Sequence, residues 1–75
     1  MSAALPVVTV DCLGQKCPRP IIELAQRIFG VEVGEVIELL ADDPAAEPDV
    51  AAWCRMRGHT LMAAEPPRFT VRRDA

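Results

Sequence analysis

Val7-Val8-Thr9-Val10-Asp11-Cys12-Leu13-Gly14-Gln15-Lys16-Cys17-Pro18-Arg19-Pro20-Ile21-Ile22-Glu23-Leu24-Ala25-Gln26-Arg27-Ile28-Phe29 is the stretch from which the fold is read. Residues 7–11 are mostly β-branched and predict a strand. Residues 12–17 form a short loop punctuated by Gly14. From Pro18 to about Phe29 the apolar residues recur as Ile21, Leu24, Ala25 and Ile28, with Ile22 and Phe29 flanking. That spacing predicts a helix with one broad buried face, and Glu23, Gln26 and Arg27 fall on the other side.

Working outward, Gly30 can end this helix and Gly34 suits a turn. Residues 35–41 predict a second strand, whose near-continuous apolar run implies a central, well-covered place in a sheet. Asp42-Asp43-Pro44 breaks it, with Asp43 or a neighbour capping the next element and Pro48 fitting a helical first turn. Asp49 to Arg57 predicts a second helix that buries Val50, Trp53 and Cys54, carries Arg55 and Arg57 near its C-terminus, and is capped by Gly58. Residues 59–64 and 68–73 predict short strands joined by Glu65-Pro66-Pro67, with Leu61 alternating with Ala63 and Phe69 with Val71. The order β-α-β-α-β-β implies an α+β two-layer sandwich, a four-stranded mixed sheet with two helices on one face. The β-α-β unit makes the first two strands parallel neighbours or near-neighbours, and the last hairpin is antiparallel.

The 75 residues make one domain, 1–75, with a mostly aliphatic core, since Phe29, Trp53 and Phe69 are its whole aromatic content. A chain this short buries a modest share of its surface, so chemistry is expected on an exposed element, with partners completing the site. Eight basic against eleven acidic residues give a net charge of −3, which does not favour nucleic acid. No segment approaches the roughly 20 apolar residues that span a bilayer, and the first residues lack the pattern of an export signal, so the cytoplasm is the expected compartment. Three cysteines cannot all pair within one chain, and a reducing compartment keeps them as thiols.

The chemistry is expected at Cys17. It sits at or next to the N-cap of the first helix, with Pro18 at the first helical position and Pro20 at the third, where backbone N–H groups have no intrahelical partner. Pro20 pushes Arg19 away from the α region, yet the two rings stiffen the backbone behind the sulfur. The helix N-terminus, Lys16 and Arg19 all favour thiolate over thiol, with Asp11 opposing from the strand end. A thiolate is the attacking species in sulfur transfer.

Asp11-x-Leu13-Gly14 followed by Cys17-Pro18-x-Pro20 resembles the TusA-type (SirA-like) sulfur-carrier family. The resemblance continues through Gly34-Glu35, Ala41-Asp42-Asp43-Pro44, Trp53-Cys54 and Gly58-His59, in order along nearly the whole chain. It implies the same β-α-β-α-β-β sandwich, a persulfide on Cys17, and no cofactor. It implies a cysteine desulfurase or rhodanese-like donor. It also implies an acceptor protein serving tRNA thiolation, molybdenum-cofactor supply, sulfur oxidation or selenium metabolism. Family members also occur beside membrane sulfur transporters. A monomer suits a carrier that docks twice, and the activity implied is a sulfurtransferase-like relay.

Cys12 departs from the one-cysteine form of the motif: it is either a small residue at a strand end or a second thiol that resolves the Cys17 persulfide. Cys54 shares the stripe of Val50 and Trp53 and is expected in the core. The spacing of Cys12, Cys17, Cys54 and His59 matches no common zinc pattern, so no metal is expected. His59 is read as a cap-associated histidine rather than an acid–base group, and Asp42 and Asp43 as turn and capping residues. Arg55, Arg57, Arg72 and Arg73 form either a basic patch or a solvated face. Two other functions stay open: a dithiol redox domain using Cys12 and Cys17, and a non-catalytic binding or regulatory module, because this fold class also serves RNA binding.

Overall fold

The computed structural model describes residues 5–16 and 18–75; residues 1–4 and Cys17 lie outside the described residues. The elements are β1 (Pro6–Asp11), α1 (Arg19–Arg27), a 3₁₀ turn (Ile28–Gly30), β2 (Val36–Leu40), α2 (Ala46–Arg57), β3 (Thr60–Glu65) and β4 (Arg68–Arg72). The sheet order is β1-β2-β4-β3, with β1 parallel to β2 and the other two pairs antiparallel. This is the expected two-layer sandwich. β2, the most apolar strand, is central, and β4 returns beside it.

Two rows of cross-strand neighbours face the helices. One runs Val8, Ile37, Val71, Leu61 and the other Val10, Leu39, Phe69, Ala64. Leu24 and Ile28, with Ile21 and Ala25, close on these rows from the first helical segment, and Ala46, Val50, Trp53 and Cys54 from α2. Phe69 and Trp53 are the only aromatic rings in this cluster, and Phe29 is 71% exposed. On the opposite face Glu38 accepts a hydrogen bond from Thr9 Oγ1 at 2.9 Å and pairs with Arg68 Nε at 3.3 Å.

The structure corrects the sequence reading in four places. Ala63 does not share a face with Leu61: β3 carries a bulge at Met62–Ala63, so Ala63 pairs with Thr70 and Ala64 takes the inward place opposite Phe69. The run Leu61-Met62-Ala63-Ala64 is apolar throughout, so period-2 alternation could not locate the extra residue. α2 begins at Ala46, three residues before Asp49; Pro48 is accommodated because first-turn N–H groups need no intrahelical partner. Asp43 does not cap α2 directly. Its Oδ1 accepts the N–H of Ala45 at 2.9 Å, a turn one step ahead of the helix. Pro18 is the N-cap of α1 rather than its first helical residue, and Arg19 is helical despite the proline after it.

The core placement of Cys54 has a pH consequence. Burial, helped by Asp74, pushes its thiol from 9.0 up to about 11. An unfolded chain releases this proton near pH 9 and the folded chain holds it to about 11. Stability is therefore fully present below pH 9 and falls as pH rises towards 11. Urea unfolding of Cys54→Ala across this window is expected to show a shallower decline than the parent protein. Cys12, whose thiol burial also raises, leaves a residual slope of the same sign.

Candidate functional site

The loop between β1 and α1 is held at almost every backbone position. Cys12 N–H donates to Leu40 C=O at 2.8 Å, extending the parallel ladder one residue past β1. Leu13 N–H donates to Asp11 Oδ1 at 3.0 Å, a local turn. Gly14, at φ +80°, turns the chain so that its N–H meets the Asp42 carboxylate, 3.0 Å from Oδ1 and 3.2 Å from Oδ2. Gln15 N–H donates to Cys12 C=O at 3.1 Å, and Arg19 N–H donates to Lys16 C=O at 2.9 Å, so the residues on either side of position 17 are tied together.

Of the site residues read from sequence, Lys16, Pro18 and Arg19 are exposed, and Pro20 is buried at the second helical position. Gly14 forms the turn. Cys17 itself lies outside the described residues. Pro18 and Pro20 have no N–H, and that of Arg19 is taken by Lys16. Free N–H groups are therefore depleted at this helix end, and Lys16 and Arg19 add two exposed cations.

Cys12 is 1% exposed and belongs to the core cluster. Burial raises its pKa first, Glu23 and Asp11 add to this, and Arg19 and Arg27 oppose. Cys54 is likewise buried. His59 makes contacts with Trp53 and Asp74. Arg72 and Arg73 are held within the chain, by Asp74 and by Val31 C=O respectively, and so do not form a free patch. Among the described residues, no three His, Cys, Asp or Glu side chains come together as a metal site, and no helix is long and apolar enough to cross a membrane.

Sequence reasoning read Asp42 as a turn and capping residue and missed its bond to Gly14. Gly14 and Asp42 are 28 positions apart, and no local spacing links them. The signal was topological: parallel neighbours in a β-α-β unit bring the C-terminal ends of β1 and β2 side by side. Asp42→Ala is expected to cost about 1–2 kcal/mol, because it removes charge-assisted hydrogen bonds at an exposed site. Asp42→Asn, which keeps one acceptor oxygen, is expected to cost less. Urea unfolding measures both, and Gly14 amide exchange should speed up most in the alanine variant.

Beside the loop, a shallow apolar groove of about 290 Å³ runs between α1 and α2, lined by Pro18, Ile21, Asp49, Ala52, Trp53 and Met56. Met56 is 78% exposed there. A family model described as Sulfurtransferase TusA matches residues 8–72 of the chain.

Proposed function

Since the chain belongs to the TusA sulfurtransferase family, we propose that it takes up a sulfane sulfur as a persulfide on Cys17 and relays it to an acceptor protein. The observation that carries this reading is the fate of the other two cysteines. Cys12 and Cys54 are packed in the core with raised thiol pKa values, which leaves Cys17, next in sequence to the exposed cations Lys16 and Arg19, as the candidate nucleophile.

The chemistry needs no cofactor. The Cys17 thiolate attacks the outer sulfur of a donor persulfide, donor–S–SH. The S–S bond breaks, the donor leaves as a thiolate, and Cys17 becomes Cys–S–SH. An acceptor thiolate then attacks that outer sulfur and Cys17 leaves as thiolate again. Both steps exchange one S–S bond for another, so no external oxidant or reductant is consumed. Lys16 and Arg19 stabilise the thiolate as attacking and as leaving group. The donor is a cysteine desulfurase or rhodanese-like protein, and the acceptor is a protein that docks on the same loop and groove. The relay works in the cytoplasm as a monomer.

The dithiol redox reading is weaker because Cys12 is buried and its backbone is bound into the sheet ladder. An RNA-binding module is disfavoured by the net charge of −3, and Arg68 on the open sheet face is already paired with Glu38 and Glu65. The test is incubation of the reduced protein with a cysteine desulfurase and L-cysteine, then peptide mass spectrometry. One added sulfur on the Cys17 peptide is expected. Sulfur on the Cys12 peptide, or none from desulfurase and rhodanese donors alike, overturns the reading. A two-proton loss joining Cys12 and Cys17 supports the redox alternative.

A further inference from the structure

The loop that carries position 17 runs between two fixed ends. Before it, Cys12 N–H continues the ladder to Leu40 C=O at 2.8 Å; after it, Ile22 N–H donates to Pro18 C=O at 3.0 Å in the first turn of α1. Between these ends Gly14 turns the chain at φ +80°. Glycine permits this conformation but does not enforce it, because the left-handed region is only one of several open to it. Packing does not enforce it either: chain neighbours aside, no heavy atom lies within 4 Å of where a Cβ of Gly14 would sit. What meets Gly14 is the Asp42 carboxylate, which accepts its N–H at 3.0 and 3.2 Å. The backbone that carries Asp42 is fixed on both sides. Ala41 N–H, inside the core, donates to Pro67 C=O at 2.8 Å, and Asp43 Oδ1 accepts the N–H of Ala45 at 2.9 Å.

We propose that Asp42 is a positioning residue for sulfur transfer: by holding the Gly14 N–H, it selects the one turn in which the loop presents Cys17 to a docked donor. This role rests on the sulfur-carrier reading and adds to it the group that orients the nucleophile. Asp42 acts through Gly14 and takes no part in bond making. Nor does it activate the thiol, since a nearby carboxylate disfavours a thiolate. Without the acceptor, the glycine turn opens to several loop conformations, and only a fraction of them suits the aligned approach of two sulfurs. A small alkylating agent meets the thiolate in any of these conformations, whereas a docked protein delivers its persulfide from one direction. The two reactions therefore separate orientation from intrinsic reactivity.

The test compares Asp42→Ala and Asp42→Asn with the parent chain, all reduced and shown folded by circular dichroism at the assay temperature. One rate is alkylation of the fast thiol by iodoacetamide across pH. The other is sulfur transfer from a persulfidated cysteine desulfurase or rhodanese, whichever loads the parent, with carrier concentration varied to separate kcat from KM. Asp42→Ala is expected to keep the parental alkylation profile and KM and to lose about 10- to 100-fold in kcat, the scale on which misorienting a reacting group acts. Asp42→Asn keeps an acceptor oxygen and is expected to recover most of that loss. A folded alanine variant with parental kcat overturns the positioning role. So does a change confined to KM, which makes Asp42 a docking contact, or an equal fall in alkylation and transfer, which puts its effect on the thiolate. An asparagine variant as slow as the alanine one overturns it as well, since the acceptor is then not what matters. In the parent alone, a Gly14 amide that exchanges as fast as in an unstructured peptide overturns the clamp, whether or not the variants fold. A parent that takes no sulfur from either donor removes the sulfur-carrier reading itself; a parent that loads no faster than the alanine variant removes only the role of Asp42.

Discussion

Cys17→Ser is expected to lower sulfur delivery from donor to acceptor on the order of 10³-fold or more, since removal of a covalent nucleophile leaves only what positioning by the remaining surface can supply. The variant should fold as the parent does, because Lys16, Pro18 and Arg19 at its flanks are exposed and the loop bonds run through Cys12, Gly14, Gln15, Lys16 and Arg19. Thiol counting checks the assignment independently. With an aromatic disulfide reagent, one thiol of the native protein should react fast and two only after denaturation, and Cys17→Ser should remove the fast one. Cys12→Ala should keep both the fast thiol and sulfur delivery. A Cys12→Ala variant that stops delivery while remaining folded would make Cys12 part of the relay and refute the assignment of the chemistry to Cys17 alone.

Phe69→Ala is expected to cost about 3–5 kcal/mol. The ring is 1% exposed at the second residue of β4, between Leu39 and Ala64. At roughly 0.05–0.15 kcal/mol per residue, a chain of this size is held together by about 4–11 kcal/mol, so the variant loses a large share of its stability at 25 °C, and all of it at the lower end of that range. Urea titration followed by circular dichroism measures this directly. A shift of under about 1 kcal/mol, far below the usual cost of emptying a core aromatic site, would show that the ring is not the keystone of the two inward rows. Phe69→Leu, which refills most of the volume, should cost less.

The elements themselves were legible because their causes are local. A β-branched run made β1 and an apolar run β2, the recurrence of Ile21, Leu24 and Ile28 made the first helix, and Gly58 ended the second in the left-handed conformation only glycine adopts freely. The inward side of β3 was not legible, because four apolar residues in succession fit either register and only pairing with Thr70 and Phe69 decides between them. The start of α2 was placed late because Pro48 and Asp49 read as a boundary. In the fold, Asp43 turns the chain ahead of Ala46 and the proline lies harmlessly in the first turn.

Cys17 was marked by sequence alone, through Pro18, Pro20, Lys16 and Arg19. Those residues are its neighbours in sequence, so the reading needs nothing from the rest of the chain. Its surroundings were decided by tertiary structure. Asp42 reaches Gly14 because β1 and β2 run parallel and end together, and Cys12 becomes a core residue because its N–H extends that ladder and points its thiol inward. His59 meets Asp74 because β3 and β4 are paired, across a separation of 15 residues. Local chemistry is written in neighbouring residues. Clamps and burial join residues far apart in the chain, and only the closed sheet brings them within hydrogen-bonding range.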